Sequence, residues 1–172
     1  MITRDYNWLK ETGFDLIYET AEYWSSRVEY NSEKDRYVIN HVMPPDEYQF
    51  PVNNSVYTNV VAKLNIESAI ELGRMLGEDI PEKWSVIAEK MYIPFDKENK
   101  YHPEFEGYHL NVTVKQADTI LIGYPLMYKM DRQVSGFMIS LSLSCYLILI
   151  EYLAVYKMER QVGGFMIPLS LW

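Results

Sequence analysis

Val56-Tyr-Thr-Asn-Val-Val-Ala-Lys-Leu-Asn-Ile-Glu-Ser-Ala-Ile-Glu-Leu-Gly-Arg-Met-Leu-Gly77 decides the fold class. Val56, Val60 and Leu64, then Ala69, Leu72, Met75 and Leu76, recur at three- and four-residue spacings, which gather apolar side chains along one helix face. Gly77 is a natural stop. Upstream, Ile17, Ala21, Trp24 and Val28 repeat the pattern, so Asp5 to Tyr30 reads as helical, with Gly13 expected to separate two helices. Downstream, Pro81 suits a first helical position, and Trp84, Ile87, Ala88 and Met91 continue an apolar stripe. Residues 31–51 and 92–113 read as long loops, and Val114–Ile122 as the start of another helix. No alternation of strand and helix appears. The expected class is therefore all-α, a toroid or bundle of packed helices joined by long loops.

The loop before this helix carries the chemistry. Asn40-His-Val-Met-Pro-Pro-Asp-Glu-Tyr48 puts Asp46 and Glu47 side by side in a Pro-stiffened segment. Val52-Asn-Asn-Ser-Val-Tyr-Thr-Asn59 follows with amides and hydroxyls. A fixed carboxyl group among neutral hydrogen-bonding partners and aromatic rings suits sugar chemistry. To act as a general acid, Glu47 must hold its proton, through burial or a nearby carboxylate. Asp46, Tyr48, Phe50 and Val52 are the neighbours that could supply both. The bland alternatives are a helix cap or solvated loop charges, and Asn or Ser capping accounts for part of the Asn53, Asn54, Ser55 run. Lys115-Gln116-Ala-Asp118 offers a cation and an amide for hydroxyl groups, or a solvated first turn. His102-Pro-Glu104-Phe-Glu106 is a further acidic loop, but one His among scattered acids is a poor metal signal, and no metal or cofactor is expected.

Composition narrows the classes. The chain's 172 residues suffice for one domain with a core. The net charge of −8, with no clustered basic face, excludes nucleic acid as the main partner. The single Cys145 rules out an intrachain disulfide, and the first residues hold no apolar leader. The sequons at Asn53 and Asn111 are then chance matches, and a cytoplasmic location is expected. Charge vanishes from Val134 to Ile150, a Ser-rich apolar run slightly short for a membrane span, so a membrane is not expected as partner. Tyr128–Leu143 returns 28 residues later as Tyr156–Leu171 with three differences, a near-identity that does not fit a solenoid.

Thr20-Ala-Glu-Tyr-Trp24, Ser26-Arg-Val28, Val42-Met-Pro-Pro-Asp-Glu-Tyr48, Val52–Asn59, Phe105-Glu-Gly-Tyr108 and Lys115-Gln-Ala-Asp118 together resemble glycoside hydrolase family sixty-five. The family includes disaccharide phosphorylases, acid trehalases and an animal branch that removes α-1,2-linked glucose from glucosyl-galactosyl-hydroxylysine. The resemblance implies that residues 1–133 are a fragment of an (α/α)6 catalytic toroid and that 134–172 form a divergent tail. It implies an inverting mechanism with Glu47 as general acid, Lys115 and Gln116 holding the cleaved glucose, and Asn53 and Asn54 shaping the same pocket. The implied partner is an α-glucosyl disaccharide on hydroxylysine. The family's general base lies downstream of the Lys-Gln motif, where the pattern stops. Glu151 and Glu159 are the glutamates left there, and neither sits in a family-like context. An inverting site needs two carboxyl groups about 6.5–9.5 Å apart across the sugar. The chain alone is therefore expected to be inactive. A phosphorylase piece and an inactive carbohydrate-binding remnant are the alternatives.

Overall fold

The computed structural model describes residues 5–109, 111–112, 114–116, 118–130 and 134. The apolar run and duplicated segment beyond residue 134, with Cys145, Glu151 and Glu159, lie outside the described residues. Helix α1 (Tyr6–Trp8) begins where Asp5 Oδ1 accepts the Trp8 N–H at 2.9 Å. It runs through a π-helical turn, Leu9–Gly13, into α2 (Phe14–Arg27). Gly13 thus does not separate two helices as expected. Its backbone stays helical (φ −67°, ψ −33°), and a Cβ there would meet the Trp8 ring at 2.4 Å. The glycine makes room for an aromatic ring inside one helical stretch.

The anticipated loop after α2 instead begins as an antiparallel hairpin, β1 (Glu29–Asn31) and β2 (Arg36–Val38), paired Glu29 to Val38, Tyr30 to Tyr37 and Asn31 to Arg36. Three-residue strands are too short to print a legible alternation. The Asn31 side chain accepts the Lys34 N–H in the turn, and Tyr30 and Tyr37 meet across the strands. Helix α3 (Val56–Leu76) matches its reading. Ser55 Oγ accepts the Thr58 N–H, and Gly77, at φ 74°, ends the helix in the left-handed conformation. Helix α4 (Glu82–Lys90) follows Pro81. Helix α5 (Thr119–Gly123) is shorter than the expected one and begins after Lys115 and Gln116.

Helix α3 is the axis of the packing. One side meets α2 and α4 through Ala21, Ala62, Ile66, Ala69, Trp84, Ile87 and Ala88, with Ile17, Tyr18, Trp24 and Val28 packed against them. Its N-terminal turns, at Val56 and Val60, pack instead on Tyr101 and Ile122. Met75, read as part of the apolar stripe, is exposed. Among the described residues the chain is helix-rich with one small two-stranded sheet, and no helix is long and apolar enough to cross a membrane.

Candidate active site

Val42 and Val52 exchange backbone hydrogen bonds of 2.9 and 3.0 Å and close the neck of the loop between them. The two carboxylates at its tip part company. Asp46 turns inward and is 1% exposed, while Glu47 and Tyr48 remain exposed. The environment expected for Glu47 is therefore not assembled by its sequence neighbours: Phe50 is exposed, and Val52 is buried away at the neck.

Asp46 is bonded on every side. Its Oδ2 accepts the Lys115 N–H at 2.7 Å, and its Oδ1 accepts the Tyr48 N–H at 3.2 Å. Its own N–H donates to Asp118 Oδ2 at 3.1 Å. The loop of Glu47 is thus stitched to the loop of Lys115 and Gln116, about seventy residues later. On the outer side, Lys115 Nζ lies 4.4 Å from the Tyr48 ring centroid and donates to its hydroxyl at 3.3 Å. Gln116 is exposed beside it in sequence. Glu47, Lys115 and Gln116 therefore sit on two loops that Asp46 holds together.

The Thr119 N–H, which a helix running from Val114 would give to the Lys115 carbonyl, is taken by a carboxylate, and α5 starts there instead. Lys115 N–H goes to Asp46, and Thr119 N–H goes to Glu104 Oε2 at 3.0 Å. Glu104 is buried, with the Thr119 hydroxyl 3.2 Å from its other oxygen. Burial, and then the nearby Asp118 charge, push Glu104 up to about 8. Burial pushes Asp118 up to about 6, helped by the Asp46 charge and opposed by the Asp46 N–H. Among the described residues, the buried Asp118 Oδ1 has no hydrogen-bond partner.

Asn53 and Asn54 flank the same region in different ways. Asn53 is exposed, and its Oδ1 accepts the His41 N–H at 3.0 Å. Asn54 is buried at φ 52°, and its amide is engaged at both ends. Oδ1 accepts from Ile39 N–H and Asn59 Nδ2, and Nδ2 donates to Glu106. Its side chain ties the hairpin to α3 and to the 104–106 loop. The acids of that loop do not converge. His102 Nδ1 bonds the Pro94 carbonyl, Glu104 faces Thr119, and Glu106 pairs with Lys34 and Asn54. Among the described residues no group of three His, Cys, Asp or Glu side chains could hold a metal ion.

"Glycosyl hydrolase family 65 central catalytic domain" matches residues 1–130. The chain belongs to glycosyl hydrolase family 65. Over 135 residues, 77% of this chain, it is 47% identical to the protein-glucosylgalactosylhydroxylysine glucosidase of Dictyostelium discoideum. Over 123 residues, 62% of the chain, it is 42% identical to the kojibiose phosphorylase of Thermoanaerobacter brockii. These matches span 19% and 16% of those relatives. A solved structure described only provisionally as a kojibiose phosphorylase from the human microbiome shares the fold. It has a TM-score of 0.53 and 24% identity, over 61% of this chain and 16% of its own. In this family 65 chain the sequence analysis took Asp46 as an influence on the Glu47 proton and Asn59 as one of a run of amides, and it missed the structural roles of Glu104 and Asp118. Asp118 stood inside the Lys115–Asp118 motif, and nothing in the pattern marked it as buried.

Proposed function

We propose that the chain is a piece of an inverting α-glucosidase, part of an (α/α)6 toroid, that cleaves the α-1,2 glucosyl bond of glucosyl-galactosyl-hydroxylysine. Glu47 is the general acid that protonates the leaving oxygen, and Lys115 and Gln116 hold the glucose. The observation that carries this reading is the 2.7 Å bond from Lys115 N–H to Asp46, which joins the Glu47 loop to the Lys115–Gln116 loop while all three side chains stay exposed, Lys115 Nζ resting against Tyr48. The higher identity to the Dictyostelium glucosidase, over a larger share of the chain, favours hydrolysis over phosphorolysis. The chain spans about a fifth of that relative, and the reading assigns the second carboxyl group, which an inverting site needs, to a part of the catalytic domain outside this piece.

The test is a chimera in which residues 1–130 replace the matching segment of the Dictyostelium relative. It is expected to release glucose from glucosyl-galactosyl-hydroxylysine without phosphate. Glu47→Gln is expected to lower turnover by about 10²–10⁴-fold. Unchanged turnover in that variant removes Glu47 from the role. Strict dependence on phosphate, with glucose 1-phosphate as product, transfers the chain to the phosphorylases.

A further inference from the structure

Asp46 reaches both sides of the proposed acid. Its Oδ1 accepts the Tyr48 N–H, closing a turn across Glu47, so the backbone of Glu47 is fixed while its side chain stays exposed. Its Oδ2 accepts the Lys115 N–H, and its own N–H is held by Asp118. Both oxygens are used, the side chain is 1% exposed, and its bonded partners are backbone N–H groups rather than a cation. The path from the Glu47 backbone to the Lys115 backbone is thus one side chain long. We infer that Asp46 is a positioning residue whose buried carboxylate fixes the Glu47 loop at one separation from the Lys115–Gln116 loop, and that Asp118 supports it. The inference rests on the proposed role of Glu47.

An Asn at position 46 keeps the volume but offers one acceptor oxygen where two N–H groups converge, and its NH₂ faces a donor. The loops then lose one of their fixed contacts, and a displacement of about 1 Å between acid and sugar costs about a hundredfold in rate. Glu98→Gln, at an exposed carboxylate in the turn after Asp96, outside these loops, serves as the control.

The experiment compares two substrates in the chimera: glucosyl-galactosyl-hydroxylysine, whose leaving oxygen needs a proton, and α-glucosyl fluoride, whose leaving group does not. Asp46→Asn is expected to lower kcat on the first about a hundredfold, with KM changed far less, and to retain most activity on the fluoride; Glu98→Gln stays within a few-fold on both. Equal losses on both substrates for Asp46→Asn, which a purely structural role produces, overturn the inference. Glu47→Gln separates the two claims. If it spares the fluoride and Asp46→Asn does not, positioning by Asp46 fails and the acid stands. If Glu47→Gln shows no preference either, the reading of the acid fails with it. In the intact 172-residue chain, slow hydrogen exchange at the Lys115 amide that is lost in Asp46→Asn is the structural signature. A fast-exchanging Lys115 amide in the unsubstituted chain also overturns the inference.

Discussion

Between α2, α3 and α4 the buried side chains are Ala21, Ala62, Ile66, Ala69, Trp84, Ile87 and Ala88. Beneath the loops, beside Ile39, Val52 and Tyr101, they include Asp46, Asn54, Asn59, Glu104 and Asp118. The difference follows from where each region's backbone polar groups go. Helices satisfy their own N–H and C=O groups and can bury hydrocarbon alone. The loops at residues 39–55 and 101–119 cannot, so acceptor side chains come inward to meet Ile39, His41, Tyr48, Lys115 and Thr119 N–H groups. The helical layer supplies bulk stability, and the polar layer supplies a fixed loop geometry on which exposed Glu47, Lys115 and Gln116 can be presented.

Two substitutions probe that division. Trp84 is fully buried and stacks near Tyr18, so Trp84→Ala is expected to cost about 3–5 kcal/mol in urea unfolding, the largest single effect. A cost under about 1 kcal/mol places the stability centre elsewhere. Asn54→Ala strands the Ile39 N–H, removes one of the two acceptors of the Asn59 amide and puts Ala at φ 52°, for an expected loss of about 2–3 kcal/mol. If Asn54→Ala were neutral, the polar layer would not be holding the loops.

The two layers were unequally legible. The 3.6-residue period of Val56–Leu76, the Gly77 stop and the stripe from Trp84 to Met91 were readable because each helix carries its own pattern. The hairpin was not, since Glu29–Asn31 and Arg36–Val38 are too short to alternate. Nor was the late start of α5, which depends on Glu104 taking the Thr119 N–H from distant sequence. The candidate site rests on motifs in the sequence. Its geometry was not legible there, because adjacent Asp46 and Glu47 look alike as letters and face opposite environments in the fold.

The polar layer also makes a prediction about pH that the apolar layer cannot share. Glu104 is pushed from 4.5 up to about 8, first by burial and then by Asp118, so the folded chain keeps a proton that the unfolded chain has released. Its contribution to stability is complete below about pH 4.5 and is lost as pH rises through about 8, with a slope of at most ~1.4 kcal/mol per pH unit. Asp118, pushed from 3.8 to about 6, acts in the same direction over the lower part of that range. Unfolding free energy is therefore expected to fall between pH 5 and 8. Glu104→Gln should have the smallest effect of the three at pH 5, because a protonated Glu104 and a Gln present the same shape. The Gln oxygen accepts the Thr119 N–H, and its NH₂ donates to the Thr119 hydroxyl. The variant should then gain on the native chain as pH approaches 8. Parallel curves for the two chains, or a native stability that climbs with pH across this range, would mean that Glu104 is ionised in the fold and that a cationic or hydrated partner stabilises it.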